Sequence, residues 1–168
     1  DIVDDVKEKA ADIVEDVKEK VEEIKEKLGA KAVPICLPIG AEDKFEGIVD
    51  LIAKKAYYYN PDSKELVNYT ETDVPENMVD EVEEWRGNLI ETVAEFDDKL
   101  LEKFFVDPDS ITEEEIIAAL RKATINMQVV PACCGSSFKN KGVQFLLNSV
   151  IRYLPSPLDK GAISGTDL

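Results

Sequence analysis

Met78, Val82, Trp85, Leu89, Val93, Phe96, Leu100 and Phe104 recur at intervals of three and four residues. That spacing puts them on one face of a helix and demands a partner surface to bury it. The spacing predicts a helix from about Pro75 to Phe105, with Pro75 suited to a first-turn position. A second helix begins at Thr112. Thr112 and Glu115 form a capping box, Ile111 and Ile116 staple it, and the helix runs to about Ala123.

The partner surface lies upstream. Ala32 to Ile39 reads as an apolar strand whose Pro34 and Pro38 cannot donate to a ladder, so it belongs at a sheet edge or strand end. Phe45 to Tyr59 reads as one or two strands, Asn60-Pro61-Asp62-Ser63 as a turn, and Leu66 to Thr70 as an antiparallel return. Downstream, Gln128 to Cys134 reads as a short apolar strand. Gly135-Ser136-Ser137-Phe138-Lys139-Asn140-Lys141-Gly142 is a polar loop. Val143, Leu146, Leu147, Val150, Ile151 and Leu154 mark a last helix, stopped by Pro155-Ser156-Pro157. The fold class is α+β: a small, mostly antiparallel sheet with packed helices, plus a strand-loop-helix unit.

Residues 1–28 stand apart. Asp1 to Lys9 nearly recurs as Asp12 to Lys20, a period of 11 residues. Such a period suits a straight or slightly right-handed helix. Gly29 is placed as its C-cap. The regularity reads as an engineered or substituted segment. A natural amphipathic helix laid over a sheet accounts for it as well. The tail, 158–168, reads as a linker, and the chain as a fragment.

Charge narrows the function. The 168 residues carry 20 Lys and Arg against 36 Asp and Glu, a formal net charge of −16. Such a chain repels phosphate backbones and anionic membrane surfaces, and attracts basic protein partners. No run is long and apolar enough to span a bilayer. There is no histidine, which removes imidazole catalysis and His-type zinc sites. Cys36, Cys133 and Cys134 are too few and oddly spaced for a disulfide framework, and read as reduced cytosolic thiols. Adjacent strand residues point to opposite faces, so at least one of Cys133 and Cys134 is expected in the core. Neither calcium-type nor zinc-type ligand spacing occurs, and no metal site is expected. Tyr57-Tyr58-Tyr59 is read as strand packing rather than base stacking.

Two features remain as functional candidates. Asp80, Glu84, Glu91, Glu95, Asp98 and Glu102 lie opposite the apolar stripe of the long helix. They form either a solvated face or a docking face for a basic partner, the latter weakening with salt. The loop 135–142, between strand and helix, is either a plain connection or a presentation of backbone N–H groups to a ligand. It lacks the G-x-x-x-x-G-K-[ST] pattern of a phosphate loop.

Longer matches resemble one family. Leu28 to Ile35, Pro38 to Leu51, Glu83 to Glu91, Cys134 to Gln144 and Tyr153 to Pro157 are similar, collinearly, to bacterial elongation factor G. That resemblance implies a translational GTPase that drives translocation on the ribosome in the cytoplasm. It implies that residues 29–127 are the G-prime insertion of the GTPase domain, and that 128–157 are its last strand, guanine-motif loop and helix. Ser136, Ser137 and Phe138 then correspond to the fifth nucleotide motif, with Ser137 where the family usually has Ala. The phosphate loop, switches and Asn-Lys-x-Asp motif are missing, so the expectation is a non-catalytic chain that holds no cofactor, although its parent binds GTP and Mg. The resemblance also implies a partner, the C-terminal domain of the ribosomal stalk protein, with Glu91, Glu95 and Asp98 as its contacts. The alternatives are an incomplete GTP-binding half or an engineered scaffold without retained binding.

Overall fold

The computed structural model describes residues 15, 17–27, 29, 31–60 and 69–159. Among these, six strands and five helices follow in order. The first helix, α1, covers 17–27. Strands β1 (Ala32–Pro34), β2 (Cys36–Ile39), β3 (Gly47–Asp50), β4 (Lys55–Tyr59) and β5 (Tyr69–Asp73) come next. Helices α2 (Val79–Ala94), α3 (Asp98–Val106) and α4 (Glu113–Ile125) precede β6 (Val130–Ala132) and α5 (Val143–Tyr153). The α+β reading holds.

The apolar run Ala32 to Ile39 is two strands rather than one. β1 pairs in parallel with β6, while β2 is the edge of an antiparallel sheet ordered β2-β3-β4-β5. Ile35 is the junction. Its N–H donates to the Ala132 carbonyl at 3.0 Å, and its carbonyl accepts from Leu51 at 3.1 Å. Pro34 ends its strand and Pro38 sits on an edge strand, where a missing donor costs little. The return strand runs to Asp73, beyond the expected Thr70, because Lys55 pairs with Asp73 in register.

Register decides what each face of the sheet meets. Leu37, Ile39, Val49, Ala56 and Tyr58 point one way, into the main core with Val82, Trp85, Leu89, Val93, Ile116 and Leu120. Cys36, Ile48, Tyr57 and Tyr59 point the other way, toward Cys133, Cys134 and Phe145. The sheet therefore lies between α2 and α4 on one side and the β6–α5 segment on the other. Arg86 ties α2 to the sheet by donating to the carbonyls of Leu51, at 2.7 Å, and Ile52.

The long helix is broken, which corrects the expected Pro75–Phe105 span. Helix α2 ends at Ala94, and Asp97 adopts extended backbone with φ −144°. The Asp97 carboxylate accepts from Leu100 N–H at 3.3 Å and restarts the chain as α3. An Asp at this position competes with the helical ladder for that N–H. The apolar stripe crosses the break uninterrupted, so periodicity alone did not mark it. The second helix carries the expected capping box of Thr112 and Glu115 and extends to Ile125.

Gly29 has φ +61° and donates to Lys25 at 2.9 Å, a left-handed cap on α1. Residues 1–14 lie outside the described residues, and with them most of the 11-residue repeat. The linker expected at 158–168 lies outside them beyond Asp159. That residue is bound back. Its carboxylate accepts from Arg121 at 2.8 Å and from the Ser156 N–H and hydroxyl at 2.7 Å each.

Candidate docking face and motif loop

The three carboxylates expected to meet a partner, Glu91, Glu95 and Asp98, are exposed but do not share one helix. Glu91 is in the last turn of α2, Glu95 is its C-cap, and Asp98 opens α3. The helical spacing that aligned Asp98 with the other two fails at the Asp97 break. Glu95 is also engaged. Both of its carboxylate oxygens lie 2.7 Å from Lys31 Nζ, which itself sits 5.6 Å from the Phe96 ring centroid. Asp97, beside Asp98, is paired with Lys122 at 3.0 Å, and Lys122 holds its carboxyl below the usual range. Asp80, Glu84 and Glu102 extend the exposed acidic strip along both helices. Glu84 lies 3.9 Å from Lys18 of α1.

A neighbouring carboxylate was missed by sequence reasoning. Glu81 is half-buried, and its Oε1 has no hydrogen-bond partner among the described residues. Desolvation and the charge of Glu84 push its pKa up to about 7, against an opposing pull from Lys18. Its helical position, one turn from Trp85, was the available signal.

The loop between β6 and α5 is a tight hairpin. Ser136 and Lys141 exchange backbone hydrogen bonds at 2.8 and 2.9 Å, and Asn140 N–H donates to the Ser137 carbonyl at 3.1 Å. Phe138 projects outward, 98% exposed. Two lysines moor the loop to the segment before β3. Lys141 Nζ donates to the Phe45 carbonyl at 2.6 Å, and Lys139 Nζ reaches the Asp43 carboxylate at 3.4 Å. Ser136 and Gly135 line a cavity of about 880 Å³ whose walls include Val21, Ile24, Pro38 and Cys134.

The cysteines converge. Beyond β6, which ends at Ala132, Cys133 packs against both the main core and the cluster around Cys36, and Cys134 against that cluster alone, so one of the pair meets the core as expected. Tyr57 and Tyr59 pack edge-on against Tyr69 at centroid distances of 5.2 and 5.9 Å.

Among the described residues no group of three or more His, Cys, Asp or Glu could hold a metal ion. Likewise, no helix among them is long and apolar enough to cross a membrane.

Together the elements describe an α+β unit: an antiparallel meander under two helices, entered and left through a parallel strand pair. Comparison with known proteins gives that class a family. The chain is 53% identical over 137 residues to elongation factor G of Cytophaga hutchinsonii, covering 82% of this chain and 19% of that protein. It is 51% identical over 139 residues to elongation factor G of Amoebophilus asiaticus, covering 83% and 20%. A crystal structure of a Thermus thermophilus protein superposes with a TM-score of 0.67 at 30% identity, over 82% of this chain and 20% of the other. No protein-family model matches the chain. Over the matched stretch the chain is related by sequence to a segment of elongation factor G, and it spans about a fifth of the length of the curated relatives it matches.

Proposed function

We propose that this chain is a non-catalytic docking module of the elongation factor G type, and that it binds the C-terminal domain of the ribosomal stalk protein. The observation that carries this reading is the exposed acidic strip on α2 and α3, set opposite an apolar face that α2 buries in the core. Exposed carboxylates along both helices attract a basic surface and steer its approach. The relationship to elongation factor G supports reading that surface as the stalk domain's. Residues 29–127 are the G-prime-like unit, 128–157 the piece of GTPase domain that supports it, and Ser136, Ser137 and Phe138 the remnant of a guanine motif that does not bind nucleotide alone. In the intact parent, GTP with Mg and the ribosome complete the picture in the cytoplasm.

The test is a titration of the chain against the isolated stalk C-terminal domain at low and high salt, repeated with Glu91, Glu95 and Asp98 changed to Lys. The expected result is binding that weakens with salt and is lost in the triple variant. Absence of binding at low salt, with the chain folded, overturns the reading.

A further inference from the structure

We propose that Cys36 and Cys134 form a reversible disulfide when a peroxide reaches them, closing the neck of the module. The two residues are 98 positions apart, yet their sulfurs lie 3.5 Å from each other. The Cys134 N–H also donates to Cys36 Sγ at 3.3 Å. A disulfide is about 2 Å long. Closing the gap takes a movement of roughly 1.5 Å, within the reach of side-chain rotation.

The backbone holds the pair in place. Cys36 opens β2 immediately after the junction residue Ile35, and Cys134 lies two residues beyond β6. The strands before them are paired in register, Pro34 opposite Ala132, and Ile35 bonds to Ala132. The thiols therefore meet because the parallel strand pair brings both ends of the module together. A bond between them would enclose β2 to β5, α2 to α4 and β6 in one covalent ring. It would also fix the start of the Gly135–Gly142 hairpin.

Access is provided by the 880 Å³ cavity, which all three cysteines line. Cys36 is buried, while Cys133 and Cys134 are both half-buried. Of these two, Cys134 has the sulfur that meets Cys36 Sγ at 3.5 Å, which makes it the entry thiol. Its sulfur, as thiolate, attacks one oxygen of hydrogen peroxide. The O–O bond breaks, hydroxide leaves, and Cys134 becomes a sulfenic acid. The Cys36 sulfur then attacks the sulfenic sulfur, the S–O bond breaks, and the Cys36 proton leaves with the hydroxyl as water. Two thiols and one peroxide give one disulfide and two waters. Cys36 is a reluctant acid: the hydrogen bond with Cys133 pulls its pKa down, but the contact with Cys134 and burial push it well up. The second step consequently depends on proximity more than on thiolate population.

The full chain would be treated with hydrogen peroxide, blocked with a maleimide, and read by intact mass and non-reducing peptide mapping. The expected result is a fall from the three free thiols to one, a cross-linked peptide joining Cys36 to Cys134, and reversal by dithiothreitol. Cys133→Ser should keep the cross-link. Cys36→Ser should lose it and leave Cys134 as a sulfenic acid that dimedone traps. The oxidised wild type should also melt at a higher temperature than the reduced form. A bond mapped to Cys133, a disulfide between two chains, or Cys134 oxidised to sulfinic acid with Cys36 still free would each overturn the proposal. So would three intact thiols at peroxide levels that oxidise an exposed thiol peptide.

Discussion

The Lys31 ammonium bridges both carboxylate oxygens of Glu95 at 2.7 Å, across 64 positions of sequence. The pair spans from the residue before β1 to the C-cap of α2. It partly neutralises the middle carboxylate of the proposed docking set. Both side chains are substantially exposed, so the pair adds little stability.

Lys31→Met should free Glu95 for a basic partner. We expect tighter binding of the stalk domain at low salt, by about two- to five-fold, in keeping with the small worth of an exposed pair. Thermal stability should change little. Isothermal titration at two salt concentrations checks this, and weaker binding by Lys31→Met would show that the pair serves the interface rather than opposing it.

Asp97 marks the break between α2 and α3, where the acidic strip is divided. It caps α3 through Leu100 and pairs with Lys122. Asp97→Ala should cost about 1–2 kcal/mol, mostly through the lost cap. Asp97→Asn, which keeps a capping oxygen, should recover most of that loss. Urea denaturation of the three proteins gives the comparison.

Much of the fold was legible because the apolar periods are clean. The Met78–Phe104 stripe and the Thr112–Glu115 box each follow from local spacing. What was not legible depended on tertiary partners. The break at Asp97 leaves the stripe in phase, so only the capping bond reveals it. The split of Ala32–Ile39 into two sheets reflects β6, nearly a hundred residues away. The exposed positions of Glu91, Glu95 and Asp98 were readable from helical spacing, but their division between two helices and the engagement of Glu95 by Lys31 were not. The meeting of Cys36 with Cys134 has no local signature at all.

Gly142 is the N-cap of α5, directly after the motif hairpin. Its φ is +82°, and a Cβ there would lie 3.0 Å from the Cys134 carbonyl oxygen and 3.1 Å from Gly135 Cα. A side chain there is strained by the left-handed backbone and crowded by both neighbours. Gly142→Ala should destabilise the chain by about 1–2 kcal/mol from the left-handed backbone alone, with more from the contact. Differential scanning calorimetry is the direct measure, and an unchanged melting temperature would mean that the hairpin can relax without cost.

Glu81 should give the chain an unusual pH response. Its folded pKa is raised from 4.5 to about 7 by desolvation, with Glu84 adding to the effect and Lys18 opposing it. A carboxyl with a raised folded pKa holds more protons in the native state than in the unfolded state between those two values. Stability from this group is therefore present at pH 4.5 and declines as the pH rises toward 7. Asp50, raised by burial, acts in the same direction from a lower starting point. Asp97, lowered chiefly by its hydrogen bond with Lys122, acts oppositely, losing its stabilisation as the pH falls below the ordinary carboxylate range. The wild type should melt at a higher temperature near pH 5.5 than near pH 8. Glu81→Gln should flatten that difference and raise the melting temperature at pH 8, while leaving the acid limb below pH 4 unchanged. Thermal melts of both proteins from pH 3.5 to 8.5 give the result. An identical slope between pH 5 and 8 in the variant would locate the titrating group elsewhere.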